Sequence, residues 1–217
     1  TPQAVAAPRT VEEVAKVLGL AWQGDVAVAP WGGGTRITVG NMPRRLDLVV
    51  ALNRLNRIVA HSPGDLTVSV EAGITIASLQ DMLAEHGQLL PLDPPLPGKA
   101  TVGGTLASNA IGPLMWRYGL PRDLVIGMKV VQTDGTVTKS GGHVVKNVTG
   151  YDMAKLHVGG LGTLGIIVEV SFKLVPLPRE DRTLWACFSS LDACRNAAMS
   201  VFQSHVVPLA MTAFNTE

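Results

Sequence analysis

Pro30-Trp31-Gly32-Gly33-Gly34-Thr35-Arg36 is the stretch on which the reading of this chain turns. Val26-Ala27-Val28-Ala29 precedes it, a short apolar run of strand type; Ile37-Thr38-Val39 and then Gly40 follow. Three consecutive glycines suit neither helix nor strand interiors, because each loses more backbone freedom on folding than any other residue. They suit a sharp turn whose successive N–H groups form a concavity for an anion. Thr35 adds a hydroxyl and Arg36 a charged fork that matches phosphate oxygens. Two readings stand at this point, a phosphate or pyrophosphate cradle and a plain tight turn after a strand.

Upstream, Thr10-Val11-Glu12-Glu13 fits a capping box, with Val14, Val17 and Leu18 at helical spacing and Gly19 or Gly24 as the stop. A second strand at Leu48-Val49-Val50 makes a small βαβ-like unit, and Leu52 to Arg57 reads as a polar link. Ile58-Val59-Ala60 and Leu66 to Glu71 read as strands joined by Ser62-Pro63-Gly64-Asp65. Thr75 caps a helix carrying Ile76, Leu79, Met82 and Leu83 on one face, closed by Gly87. Pro91 to Gly98 is an extended loop, since prolines at this density exclude helix and central strand.

Thr101-Val102-Gly103-Gly104-Thr105-Leu106-Ala107-Ser108-Asn109-Ala110 is a second unusual stretch. Thr101 can cap a short helix of very small residues, whose N-terminus favours a phosphate; tight packing of that helix on a sheet explains the composition equally well. Arg117-Tyr118-Gly119 and Arg122-Asp123 are expected on a loop, with Arg117 either paired to Asp123 or facing an anion. Leu124 to Gln132, Asp134-Gly135 and Thr136 to Lys139 form an antiparallel hairpin.

The third glycine cluster, Gly159-Gly160-Leu161-Gly162-Thr163-Leu164-Gly165, contains a literal G-x-G-x-x-G. A dinucleotide fingerprint requires a helix after its last glycine. Ile166 to Phe172 is instead β-branched and alternating, hence a strand, and the Rossmann reading is rejected. Gly98-Lys99-Ala100 is no Walker loop, because Ala100 has no hydroxyl for magnesium. Beyond Arg179 the chain reads as strand (Leu184 to Phe188), helix (Ser189 or Ser190 to Val201) and strand (Leu209 to Phe214), a partial βαβ unit.

The balance of 47% hydrophobic and 16% charged residues supports a sizeable core over 217 residues. A formal net charge of +1 argues against nucleic acid as a partner. No apolar run reaches the length of a membrane span. Cys187 and Cys194 form no CxxC pair, and His61, His86, His143, His157 and His205 are scattered, so no metal site is expected.

Taken together, the three glycine clusters resemble the flavin-binding domain of the vanillyl-alcohol oxidase and p-cresol methylhydroxylase (PCMH-type) family of FAD-linked oxidases, over about residues 10 to 178. Pro30 to Arg36 looks like that family's pyrophosphate loop, Thr101 to Ala110 like its second flavin-contacting segment, and Leu161 to Ile167 like its third, at the adenine-ribose end. Gly142-His143-Val144-Val145-Lys146-Asn147-Val148-Thr149-Gly150-Tyr151-Asp152 and Gly112-Pro113 resemble the FAD-binding E-type glycolate oxidase subunits. Arg117-Tyr118-Gly119 looks closer to the D-lactate dehydrogenase side of the family.

The resemblance implies an α+β fold: a PCMH-type FAD-binding domain of two α/β subdomains over residues 1–178. The start of a truncated C-terminal α+β cap follows, the partial βαβ unit over residues 179–217. It implies FAD as cofactor, contacted by Trp31, Gly32, Gly33, Gly34, Thr35, Arg36, Thr101, Gly103, Gly104, Ala107, Ser108, Asn109, Gly162, Gly165, Ile166 and Ile167. No histidine stands between Trp31 and Arg36, so the flavin is expected to be non-covalent. Leu92 to Pro97 is expected beside the isoalloxazine or its ribityl chain. No segment linked to chemistry carries a histidine, His143 being read as structural or as part of a partner-facing loop, and the catalytic residues stay unassigned.

The activity implied is oxidation of a small 2-hydroxy acid such as glycolate, with flavoprotein and iron–sulfur partner subunits. Location is expected in the cytoplasm, with association to the inner face of the membrane through those partners. A stand-alone D-lactate dehydrogenase-like FAD enzyme is one alternative, and a flavin-carrying structural or electron-relay subunit without a substrate site is another. With its cap cut short, the chain alone is expected not to turn over substrate.

Overall fold

The computed structural model describes residues 2–141 and 153–214. The signature stretch Gly142 to Asp152, with His143 and Lys146, lies outside the described residues.

The N-terminal subdomain is a three-stranded sheet with one helix against it. Strand β1 (Ala4–Ala6) leads to α1 (Val11–Gln23), β2 (Val28–Trp31) and β3 (Leu48–Ala51), and the order in the sheet is β1-β3-β2, both pairings parallel. Thr10 caps α1 by accepting from the Glu13 N–H at 3.2 Å. The Glu13 carboxylate takes the Arg9 N–H rather than that of Thr10, so the cap is one-sided. Gly24 ends the helix. Gly19 lies inside it, where the Asp134-Gly135 turn packs against the helix backbone. The first loop begins where β2 ends. β2 starts two residues later than the apolar run suggests, because its register is set by Leu48 to Ala51.

The second subdomain is built on an antiparallel sheet of β4 (Ile58–Ser62), β5 (Thr67–Glu71), β7 (Val125–Val131), β8 (Val137–Gly141) and β9 (Ile166–Lys173), in the order β4-β5-β9-β7-β8. Between β5 and β7 lie α2 (Ile76–Ala84), β6 (Gln88–Leu89), α3 (Val102–Ala107), α4 (Met115–Tyr118) and α5 (Pro121–Leu124). Thr75 and Thr101 cap α2 and α3 through Ser78 N–H and Gly104 N–H. The short helix α6 (Ala154–His157) precedes β9, and β10 (Val175–Pro176) pairs with β6.

Two apolar clusters hold these layers. The larger lies under α2 and α3 and includes Phe172, Val170, Leu79, Leu83, Val102 and Leu106. The smaller joins the two sheets, with Val14 and Leu18 of α1 meeting Val50, Leu52, Leu55, Val131, Ile166 and Val168. Leu52 and Leu55 are thus anchors, although the segment that carries them reads as a polar link. Glu71, buried at the end of β5, takes the Arg57 N–H at 2.8 Å and its guanidinium at 2.7 and 3.1 Å, which fixes the chain after Leu55.

Three expectations are corrected. Arg117 and Arg122-Asp123 stand on the short helices α4 and α5, not on a loop. Asp123 accepts the Leu120 N–H at 3.1 Å, and the exposed Arg117 makes no ion pair with it. Of the partial βαβ unit only the helix is present, α7 (Leu191–Gln203), capped by Ser190. Leu184 to Phe188 and Leu209 to Phe214 form no ladder, because no described strand offers them backbone partners. Trp185 and Phe214 nevertheless meet edge to face at 5.1 Å.

Candidate functional site

A cleft of about 170 Å³ opens between the two subdomains. It takes in Trp31, Gly32, Gly33, Gly34, Thr35 and Arg36 of the first loop, and Thr101, Gly103, Gly104, Ala107 and Ser108 of α3 and its caps. Gly162, Gly165, Ile166 and Ile167 come from the third segment. Of the residues singled out from the sequence, Asn109 alone is not in its walls. Asn109 follows the end of α3 with φ at +45°, and this left-handed turn carries the chain away from the cleft.

Close approach of backbones holds the walls together. A Cβ on Gly33 would stand 1.6 Å from the Lys99 carbonyl oxygen, and one on Gly32 would stand 2.3 Å from Thr101 Oγ1. The third segment is tied to α3 by Leu161 N–H to Ala107 O at 2.8 Å and Gly159 N–H to Leu106 O at 2.9 Å. Gly162, with φ at +75°, packs against the Pro30 ring across the opening of the first loop.

The hydrogen-bond accounting separates the glycine-rich segments. In α3 the Val102, Gly103, Gly104 and Thr105 N–H groups are taken by Ile74 O, Ala72 O, Thr101 Oγ1 and Thr101 O. The N-terminus of α3 therefore has no donor left for a phosphate, and its small residues serve close packing on Ala72. In the first loop, by contrast, the N–H groups of Gly33, Gly34, Thr35 and Arg36 donate to no described residue. Successive uncommitted N–H groups form an anion cradle.

Among its described lining residues the cleft has one charged side chain, Arg36, and no carboxylate. Ile37, Leu52, Leu164, Ile166 and Ile167 give it an apolar wall. A long ligand with a diphosphate and a flat ring fits that division, so the residues present suit FAD. Leu92 to Pro97 is not in the walls. Asp93 there instead accepts the Leu114 N–H at 2.9 Å and closes on Gly112, and burial raises its carboxyl above the usual range.

Ile37, Val39, Leu52, His157 and Gly160 also line the cleft and were not foreseen there, and of these His157 alone carries a titratable side chain. His157, the last residue of α6, is 7% exposed and faces the cleft. The signal available was its position just before Gly159 and three residues after Ala154, which puts both on one buried helix face. Among the described residues no group of His, Cys, Asp or Glu is arranged to hold a metal ion, and no helix is long and apolar enough to cross a membrane.

Comparison with known proteins gives a consistent answer. Residues 2–153 match the model of the FAD binding domain. The chain is 33% identical to glycolate oxidase subunit GlcD of Bacillus subtilis (strain 168), over 97% of this chain and 45% of that protein. It is 35% identical to a D-2-hydroxyglutarate dehydrogenase of Xanthomonas citri pv. viticola, over 98% of this chain and 44% of that protein. It is 32% identical to a D-lactate dehydrogenase of Anaerostipes hadrus, over 97% and 44%. The chain thus spans less than half the length of these curated relatives. The solved structure of alkyldihydroxyacetonephosphate synthase shares the fold, with a TM-score of 0.79 at 24% identity, over 95% of this chain and 38% of that one.

Proposed function

This chain belongs to the family of FAD-binding domains, its cofactor being FAD held without a covalent tether, and on that premise we propose that it is the flavin-carrying part of an oxidoreductase acting on a small 2-hydroxy acid such as glycolate. The observation that carries the proposal is the cleft that brings the uncommitted N–H groups from Gly33 to Arg36 together with the apolar residues Ile166 and Ile167. The first loop binds the diphosphate through those N–H groups and the Arg36 guanidinium. Ala107, Ser108, Gly162 and Gly165 allow close approach, and the apolar wall excludes water from the ring system. Bound FAD supplies a two-electron acceptor for the substrate's α-hydrogen.

An FAD-linked subunit of this kind passes its electrons on. The resemblance to the glycolate oxidase subunits supports a reading that includes an iron–sulfur partner subunit, alongside a second flavoprotein subunit. That B. subtilis relative is itself named a subunit, which supports an assembly. The dehydrogenases among the relatives, at the same level of identity, favour a second reading, an enzyme for D-lactate or D-2-hydroxyglutarate that acts without such partners.

The test is the visible spectrum of the protein purified natively from its source, before and after anaerobic addition of glycolate, D-lactate or D-2-hydroxyglutarate. A flavin band bleached by glycolate supports the first reading, and bleaching by D-lactate or D-2-hydroxyglutarate alone supports the second. A protein without flavin, or a flavin that none of the three bleaches, overturns both.

A further inference from the structure

We infer that the His157 imidazole is a cofactor contact: a hydrogen-bonding group held ready in the wall of the cleft for a polar atom of the bound dinucleotide. The inference rests on the FAD reading and adds to it a side chain that the glycine segments do not contain. Three observations carry it. His157 lines the cleft together with Ala107 and Gly160. It is more than nine-tenths buried. Its ring makes no hydrogen bond to any described residue, although its backbone is engaged through Gly160 N–H to His157 O at 3.2 Å.

A buried polar group without a partner costs about 1–3 kcal/mol, so buried imidazoles are ordinarily satisfied. His61, half-buried, shows the contrast. His61 meets Gln88 Oε1 at 2.8 Å and stacks edge to face on His86 at 4.8 Å. His157 makes no such bond, its ring nitrogens are not sealed from solvent, and the residue lines the ligand cleft. Burial holds its ring in the neutral form, with one nitrogen able to donate and the other able to accept. Ribose hydroxyls, the adenine edge and phosphate oxygens all offer a complement. The main-chain contacts of Gly162 and Gly165 cannot supply a side-chain donor in that place.

The experiment follows FAD binding to the apoprotein by isothermal titration and, in parallel, the ring nitrogens of His157 by NMR of protein labelled with ¹⁵N-histidine. The expected result is a clear change of the His157 nitrogen shifts on FAD addition. Affinity should fall about tenfold in His157→Phe, which fills the space, and recover partly in His157→Gln, which restores an amide donor and acceptor. Removing an unsatisfied ring should leave apoprotein stability unchanged or raised in His157→Phe. FAD that binds the wild type while leaving the His157 resonances unmoved, or binds His157→Phe as tightly as the wild type, overturns the inference and leaves the FAD reading standing. Failure of the wild type to bind FAD overturns the FAD reading itself.

Discussion

Gly33 and Lys99 come so close that a side chain on the first would occupy the carbonyl of the second, the would-be Cβ standing 1.6 Å from Lys99 O. The contact joins the loop after β2 to the segment that leads into α3, and so clamps the two subdomains at the floor of the cleft. Gly33 is therefore required by packing as well as by any ligand. Replacing it with alanine is expected to cost about 1–3 kcal/mol through overpacking, and replacing it with valine more. FAD retention should be lost along with the clamp. Thermal unfolding of the apoprotein and flavin content of the purified variant check both parts. A variant with wild-type melting temperature and full FAD content would show that the loop can shift away from Lys99.

Arg36 separates ligand binding from packing. It lines the cleft, is exposed and makes no side-chain hydrogen bond to the described residues, so the apoprotein fold does not depend on it. Reversing its charge with Arg36→Glu places a carboxylate against the diphosphate. FAD affinity is expected to fall about tenfold or more, the scale of one charge-assisted hydrogen bond, and the loss should shrink in high salt. Titration of apoprotein with FAD at low and high ionic strength checks this, with an unchanged apoprotein melting temperature as the control.

The flavin should leave the protein on denaturation. The first loop offers no histidine to attach it, and Cys187 and Cys194 lie beyond β10, outside the cleft walls. Acid precipitation is expected to leave all yellow colour in the supernatant. Colour kept in the pellet would mean a covalent bond to a residue outside these walls or to His157 itself, and mass spectrometry of the digested pellet would locate it.

Much of this site was legible because its signals are local. Thr10, Thr75, Thr101 and Ser190 each cap the helix that follows them, a matter of a few residues. Ile166 to Lys173 is a strand because its own alternation and β-branching say so. The rest depends on distant partners. Ala4–Ala6 is a strand only because Leu48 to Val50 lies beside it, and Leu184 to Phe188 is none because no described strand does. That Ala72 and Ile74 consume the first N–H groups of α3 is a tertiary fact, so a phosphate-binding N-terminus was a fair reading of the residues and not of the fold. His157 was passed over for the same reason, since only the folded α6 brings it to the cleft wall.

Thr105 offers a test of stability away from the ligand. Its hydroxyl is buried in α3 with no hydrogen-bond partner among the described residues, and the residue is 2% exposed. Thr105 is not in the cleft walls. Thr105→Val replaces the orphaned hydroxyl with a methyl of similar size. The expected gain is about 1 kcal/mol, the lower end of the cost of an unsatisfied buried polar group. Urea unfolding should show a higher midpoint with an unchanged slope, and FAD affinity should stay as in the wild type. A lower midpoint would mean that an ordered water satisfies the hydroxyl.

Stability should also depend on pH in a way that two groups set in opposite directions. Burial lowers the His157 pKa from its ordinary 6.5, so below that value the unfolded chain binds more protons than the folded one. His157 therefore contributes stability that is full above 6.5 and is lost as the pH falls through its lowered folded value. Asp93 runs the other way. Burial raises its carboxyl above 3.8, so its charged form costs stability above the raised value, and the cost is relieved as the pH falls toward 3.8. On acidification the His157 loss begins below 6.5, and the Asp93 relief is complete below 3.8. Urea unfolding of the apoprotein from about pH 8 to about pH 4 is expected to show a loss of stability below neutrality. His157→Phe should remove that loss without touching the Asp93 relief. Asp93→Asn keeps an oxygen for the Leu114 N–H, so it should remove that relief alone. If His157→Phe keeps the wild-type loss of stability as the pH falls below 6.5, the imidazole is not the buried neutral group described here.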